Sequence, residues 1–313
     1  MSQKSPIQPG DSVAFIGLGN MGVPMALRLI TGGYSVIGFD QNPNAGEALN
    51  GHDGYRRAGS LAEACGGVRA VVLMLPNSTI VNSVLRDGSV FASGDPGTLV
   101  IDMSSSAPTQ TVEVTAEAIE RGLRMIDAPV SGGVPAAVDG SLTIMVGGPE
   151  AWVNEAHSVL QRMGKNVVHA GEAGAGHALK SINNFLSAST LLASSEALVV
   201  GAKFGLRPDV MMDAINQSSG RSWSSLTKWP RYVLPRTFAS GFMMSLLVKD
   251  TRIAVELARE SGIPVPYAEK TLEMWEQAMA ELPEGADHTD IHRFVEQYSG
   301  FETPKVEGTT VAL

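Results

Sequence analysis

Residues 13–22 read "VAFIGLGNMG". Val13 to Ile16 is a short apolar run with the character of a buried strand. It ends in Gly17, Gly19 and Gly22, the spacing G-x-G-x-x-G. The helical pattern "MGVPMALRLITGG" follows and stops at Gly32 and Gly33. A strand, a glycine loop and a helix in that order are the context a dinucleotide-binding turn needs. Gly17 permits the tight turn, Gly19 lets the backbone approach a pyrophosphate, and Gly22 allows close helix–strand packing. The helix N-terminus offers N–H groups and a positive dipole end to the anion. Gly17, Leu18, Gly19, Asn20, Met21 and Gly22 are therefore the candidate cofactor loop.

The next strand, "SVIGFD" (35–40), ends in Asp40, at the spacing of about 20 residues where this turn expects an acidic group on the ribose hydroxyls. A carboxylate there repels a 2′-phosphate, and Gln41 and Asn42 supply no guanidinium. NAD is favoured over NADP on that ground. A turn-forming Asp before "QNPN" is the plainer alternative.

Outward from the loop, strand-like runs continue at 70–76, 98–104, 124–130, 142–148 and 166–171, with helical patterns between them. This alternation predicts an α/β fold with a Rossmann-type, doubly wound parallel sheet covered on both faces. After Gly171 the alternation stops. Helical patterns fill 177–204, 208–217, 241–261 and 265–281, so an all-α C-terminal domain is expected. The small-residue stretch "GEAGAGHA" (171–178) marks the junction. The expected division is a dinucleotide-binding domain over 11–175, an all-α substrate and oligomerisation domain over 176–300, and a tail over 301–313 without periodic pattern, either loose or an arm to another subunit.

The chain has 313 residues, 44% hydrophobic and 18% charged, enough apolar material for a packed core. Its formal net charge of −9 argues against nucleic acid or an anionic membrane as partner. The one cysteine, Cys65, excludes an intrachain disulfide and suits a reducing compartment. It sits in "LAEACGGV", a helix end, where a small-residue role is expected. The N-terminus has no apolar segment of the secretory kind. "FLSASTLLASSEALVVGAKFG" is interrupted by Ser195, Glu196 and Lys203, so no membrane-spanning run is expected. A soluble, cytoplasmic protein follows as the expectation, and no metal-ligand pattern stands out.

Two further segments follow strand ends. "DAPVSGG" (127–133) holds Ser131, Gly132 and Gly133, whose N–H and O–H groups suit a carboxylate, although an ordinary Pro-Gly turn has the same composition. "DMSSSAP" (102–108) places Ser104 to Ser106 where they can cap the next helix. In a doubly wound sheet such strand ends face the ligand crevice. On the long helix, Lys180 and Asn184 are spaced i, i+4 and share one face. Lys249 and Asp250 end an apolar run on another helix. A lysine in a cleft works as general acid or base when desolvation or a nearby cation lowers its pKa, yet solvated helix lysines are the commoner case.

Taken together and in order, "GLGNMG", "DAPVSGG", "GAGHALKSINN" and "VKD" make this sequence resemble the β-hydroxyacid dehydrogenase family over residues 12 to 295. The resemblance implies a hydride transfer between a nicotinamide and a small hydroxy acid. It implies that Lys180 is the catalytic lysine and Asn184 its companion. Ser131, Gly132 and Gly133 match the carboxylate-binding segment, and Lys249 a lysine near nicotinamide and substrate. Leu75, Pro76 and Ser105 match cofactor contacts, and "SSGRSW" (218–223) a pocket-lining stretch in which Trp223 is a candidate specificity residue. Two departures, Ser106 for a more usual apolar residue and "GSL" (140–142) for Gly-Thr-Leu, leave the proposed chemistry untouched. Relatives associate through helical domains, so a homodimer or homotetramer is expected. An imine reductase of the same architecture and a non-catalytic dinucleotide-binding scaffold are the rival expectations. Both are disfavoured because relatives of those kinds usually lack the lysine.

Overall fold

The computed structural model describes residues 5–87 and 90–306. The chain divides into two compact units between Lys180 and Ser181, a few residues beyond the junction suggested by composition.

The first unit is built on nine strands among the described residues: β1 (Ser12–Ile16), β2 (Ser35–Phe39), β3 (Tyr55–Arg57), β4 (Ala70–Leu73), β5 (Leu99–Asp102), β6 (Arg124–Asp127), β7 (Val130–Ser131), β8 (Leu142–Gly147) and β9 (Gly164–Gly171). They lie in the order β3-β2-β1-β4-β5-β6-β8-β7, with β9 beside β8. The first six are parallel. Their sequences are apolar at consecutive positions because both faces are covered. Val13 and Phe15 enter one core with Met25 and Leu29, while Ala14 and Ile16 enter the other with Val71 and Leu85.

The sheet departs from the all-parallel expectation at its far side. β8 runs antiparallel to β6 and to β7. β6 and β7, with only Ala128 and Pro129 between them, both pair with β8 rather than with each other, and only ten residues, 132–141, join β7 to β8, short of the dozen or more that a parallel crossover needs. β3, "YRR", is short and carries two arginines, so it has no apolar run to betray it.

β6 begins on a buried charge. Arg124 is 1% exposed and donates to both carboxylate oxygens of Glu155, on the helix Glu150–Met163. Its Nε and Nη2 also reach the Gly97 carbonyl.

The second unit is helical. Pro208–Asn216, Met244–Glu260 and Pro266–Glu281 form close to the expected ranges. Two elements are added: Ile291–Ser299 and a π-helical segment, Ser224–Val233, in which Pro230 disrupts the α pattern. The core gathers on the fully buried Trp275 with Leu191, Leu247, Val255 and Phe294. The start of the expected tail is packed. Thr303 is buried, its N–H donates to Glu296 at 2.7 Å, and its carbonyl accepts from Arg236. Burial opposes ionisation of Glu296, but bonds from His292, Arg236 and the Thr303 N–H hold its carboxyl well below the usual range. Residues 307–313 lie outside the described residues.

The helix Ala175–Phe204 is 30 residues long, and its most apolar stretch has mean hydropathy 1.4, so by length and composition it could cross a membrane, contrary to the expectation that no run qualifies. Its apolar side chains have a use within the unit: Ala188, Leu191, Leu192 and Val199 are core residues.

Candidate active site

The parallel strands of the first unit end in register. Phe39, Ile16, Leu73, Asp102 and Asp127 form one row across β2, β1, β4, β5 and β6. Each candidate segment of this unit follows one of those ends by a few residues. The strand order reverses beside β1, which is where a doubly wound sheet opens a crevice for a dinucleotide.

The glycine loop has the geometry that its spacing implies. Gly17 has φ +96°, and a Cβ there would stand 2.3 Å from the Met74 carbonyl oxygen. A Cβ on Gly22 would stand 1.9 Å from the carbonyl oxygen of Gly17. Above Gly19 there is open space, with nothing within 4 Å of a Cβ. The helix Gly22–Thr31 has no acidic side chain in its first turn. Loop, space and helix end together fit a pyrophosphate. Gly22→Ala should therefore disturb loop and helix and lower both the melting temperature and cofactor affinity. Gly19→Ala should lower affinity by about tenfold or more with the melting temperature unmoved. Thermal scans and fluorescence titration with a reduced nicotinamide read both, and equal behaviour of the two variants would contradict this division of roles.

Asp40 follows β2. One carboxylate oxygen accepts from the Leu18 N–H at 2.7 Å and the other from the Asn42 N–H at 2.8 Å. The turn-forming role is thus present and ties the loop after β2 to the glycine loop. Arg57 on β3 donates to the carbonyls of Asp40, Asn42 and Ala45.

Leu75 follows β4, and its N–H donates to the Ser104 hydroxyl at 2.9 Å. Pro76 beside it is exposed and Ser105 is partly buried. Ser131 is partly buried on β7, opposite Thr143 of β8. Gly132 and Gly133 are exposed with φ +132° and +68°, a left-handed backbone that glycine adopts without steric cost.

The residues that sequence reasoning missed lie at the end of the row. Asp127 is fully buried and accepts from the N–H groups of Gly174, at 2.7 Å, and His177, at 2.9 Å. It caps the helix that bears Lys180 with a carboxylate, the favourable charge for a helix N-terminus. His177, buried one turn before Lys180, bonds Thr111 at 2.8 Å and the Ser104 carbonyl at 3.1 Å. Asp102 accepts from the Ser104 N–H and the Ser106 hydroxyl. Thus Ser106, the departure from the expected apolar residue, belongs to a satisfied buried network. The signal for this anchor is the run "GAGHA": a Cβ on Gly176 would stand 2.3 Å from the Met145 carbonyl oxygen, so only glycine lets the helix start this close. Lys180 itself is partly buried.

In the second unit Asn184 is 6% exposed, and its amide donates to Asp250 at 2.6 Å. Lys249 pairs with the other oxygen of Asp250 at 2.9 Å. The two sequence candidates therefore meet through Asp250. Trp223 stands at the head of the π-helical segment, 66% exposed. Cys65 is buried at the end of its helix, and burial pushes its thiol up to about 12, which removes it from the chemistry. No metal-binding cluster of His, Cys, Asp or Glu occurs among the described residues.

With this geometry in view, the comparisons with known proteins are direct. Residues 12–171 match the model of the NAD binding domain of 6-phosphogluconate dehydrogenase. Residues 174–295 match that of the NAD-binding region of NADP-dependent 3-hydroxyisobutyrate dehydrogenase. The chain belongs to the β-hydroxyacid dehydrogenase family. Among its relatives, 2-(hydroxymethyl)glutarate dehydrogenase of Eubacterium barkeri is 36% identical over 92% of this chain and 96% of its own. The solved 3-hydroxyisobutyrate dehydrogenase of Mycobacterium tuberculosis, with L-serine, is 34% identical, covers 91% of this chain and 99% of its own, and superposes with a TM-score of 0.85. An imine reductase from Myxococcus stipitatus shares the fold alone, at 17% identity and a TM-score of 0.63 over 91% of this chain and 99% of its own. This β-hydroxyacid dehydrogenase is thus an NAD(P)-dependent oxidoreductase of hydroxy acids, and the imine reductase and scaffold readings fall away.

Proposed function

We propose that this enzyme interconverts a small β-hydroxy acid, of the 3-hydroxyisobutyrate or 2-(hydroxymethyl)glutarate kind, with its semialdehyde, and that Lys180 is its general acid and base. The observation that carries the reading is the Asp127 cap. It fixes the first turn of the Lys180 helix to the row of strand ends from which the cofactor loop also springs.

A nicotinamide, when bound, supplies the hydride acceptor or donor at its C4. In oxidation the neutral Lys180 amine takes the hydroxyl proton as the carbinol C–H bond breaks; in reduction its ammonium returns that proton. The Ser131 hydroxyl and the N–H groups of Gly132 and Gly133 bind the carboxylate. Asn184, its amide held by Asp250, orients the hydroxyl or the lysine. Lys249, paired with Asp250, adds positive charge beside that amide.

Asp40 supports a preference for NAD. Its carboxylate stands at the ribose end of the loop, and the Arg57 guanidinium beside it is committed to carbonyl oxygens rather than to a phosphate. Reduced-nicotinamide absorbance with 3-hydroxyisobutyrate, glycerate, threonate, 4-hydroxybutyrate and 2-(hydroxymethyl)glutarate, each with both cofactors, tests the reading. Turnover of at least one acid, faster with NAD, is expected. No turnover of any would refute it.

A homo-oligomer is supported by the long helix. Leu179, Ile182, Leu186, Val200 and Phe204 are exposed along one side of it, at spacings that repeat on a helix face. Light scattering should give a mass above the 32.9 kDa of one chain, and a monomer at micromolar concentration would count against it.

A further inference from the structure

His177 is buried in the first turn of Ala175–Phe204, one turn before Lys180. The Asp127 carboxylate takes the N–H groups of Gly174 and His177, which fixes where that helix begins. A cap alone leaves a helix free to tilt and to rotate about its axis. The ring of His177 adds a second anchor on the neighbouring strand end. Its Nε2 lies 3.1 Å from the Ser104 carbonyl, just after β5, and its Nδ1 lies 2.8 Å from the Thr111 hydroxyl, on the helix Pro108–Glu120.

These partners fix one proton of the ring. A carbonyl only accepts, so Nε2 carries a hydrogen and donates it to Ser104. Asp102 and Asp127 each stand 3.8 Å from a ring nitrogen, beyond hydrogen-bond length. The ring is therefore oriented by Ser104 and Thr111. Ser104 also faces away from it. Its hydroxyl accepts from the Leu75 N–H, and its own N–H donates to Asp102. A chain of bonds thus runs from Leu75, after β4, through Ser104 to His177, and along one helical turn to Lys180. All four residues lie in the compact unit that ends at Lys180.

We propose that His177 is a positioning residue. Its Nε2–H bond to the Ser104 carbonyl sets the Lys180 turn against the segments after β4 and β5, where Leu75, Pro76 and Ser105 are the candidate cofactor contacts. This role rests on Lys180 being the acid and base. Hydride and proton transfer need reacting atoms about 3–3.5 Å apart, and a misplacement of about 1 Å costs on the order of a hundredfold in rate. One anchor at the helix start does not hold a side chain one turn on to that tolerance; two anchors on adjacent strand ends do. The cofactor segments keep bonds of their own without the ring: Leu75 to Ser104, and Ser104 and Ser106 to Asp102. Loss of the ring should therefore spare cofactor binding and reduce turnover.

The test compares His177→Gln with His177→Asn. The glutamine amide nitrogen lies as many bonds from Cβ as the ring Nε2, so it keeps the donor to Ser104. The asparagine amide nitrogen corresponds to Nδ1, so it keeps a partner for Thr111 and loses that donor. The substrate is whichever of the five acids above wild type turns over fastest. His177→Asn should lower kcat by about tenfold to a hundredfold, with the dissociation constant of reduced NAD within about threefold of wild type. His177→Gln should keep kcat within about threefold. Should His177→Asn not fold, Thr111→Val answers instead: it removes the other partner of the ring and should lower kcat by about threefold or more. An unmoved kcat in His177→Asn or in Thr111→Val overturns the role of His177 and leaves that of Lys180 standing. So do equal losses in the Asn and Gln variants, or a kcat loss matched by an equal loss of cofactor affinity. No turnover of any acid by wild type overturns the hydroxy-acid reading and the role of His177 with it.

Discussion

Lys180→Ala should lower kcat by about 10²–10⁴-fold, the range for loss of a positioned general acid or base, while leaving cofactor affinity within about twofold of wild type. The split follows from where the groups stand. The cofactor loop and the strand-end segments beside it do not include this side chain, so binding of the dinucleotide survives its removal. Proton transfer does not. Stopped-flow turnover and a fluorescence titration measure the two halves separately. A kcat within tenfold of wild type would remove Lys180 from the mechanism.

The largest effect on stability is expected at Glu155→Leu, about 3–5 kcal/mol, read as a shift of the urea unfolding transition. Arg124 and Glu155 are 1% and 2% exposed, and the guanidinium keeps only the Gly97 carbonyl when the carboxylate is lost. Arg69 at 3.4 Å from Glu155 is a weaker and more exposed partner. The cost lies in the stranded charge more than in the lost attraction. The double replacement Arg124→Met with Glu155→Leu should therefore recover much of the loss, because an apolar pair of similar volume leaves no charge buried. A loss under about 1 kcal/mol in the single variant, or no recovery in the double one, would contradict this account.

The first six strands were legible where they are apolar throughout, since burial on two faces writes an uninterrupted hydrophobic run. β3 was not, because "YRR" has only three residues and its long polar side chains hide it. The π-helical segment escaped for a related reason: Pro230 and the serines before it read as loop, and their hydrogen bonds depend on Ser187 and Thr190, far away in sequence. At the site the glycine loop could be derived from spacing and context alone. Lys180 could not, since a lysine at a helix start is usually solvated, and only its family resemblance singled it out. Asp127, Asp102 and His177 stayed silent because buried polar networks join positions that no local pattern relates. Asp40 carried two readings, and the structure displays the turn directly.

The Asp127 cap has a consequence for recombination between relatives. Its two hydrogen bonds bind the first turn of the long helix to β6, and the compact unit that holds the sheet ends at Lys180. Lys180, the proposed acid and base, therefore travels with the cofactor half. Asn184, Asp250 and Lys249 travel with the other. A chimaera joined in the loop before Gly174 would part the lysine from its anchor. One joined inside the helix, just after Lys180, would keep the anchor whole and exchange Asn184, Lys249 and Asp250 as a block.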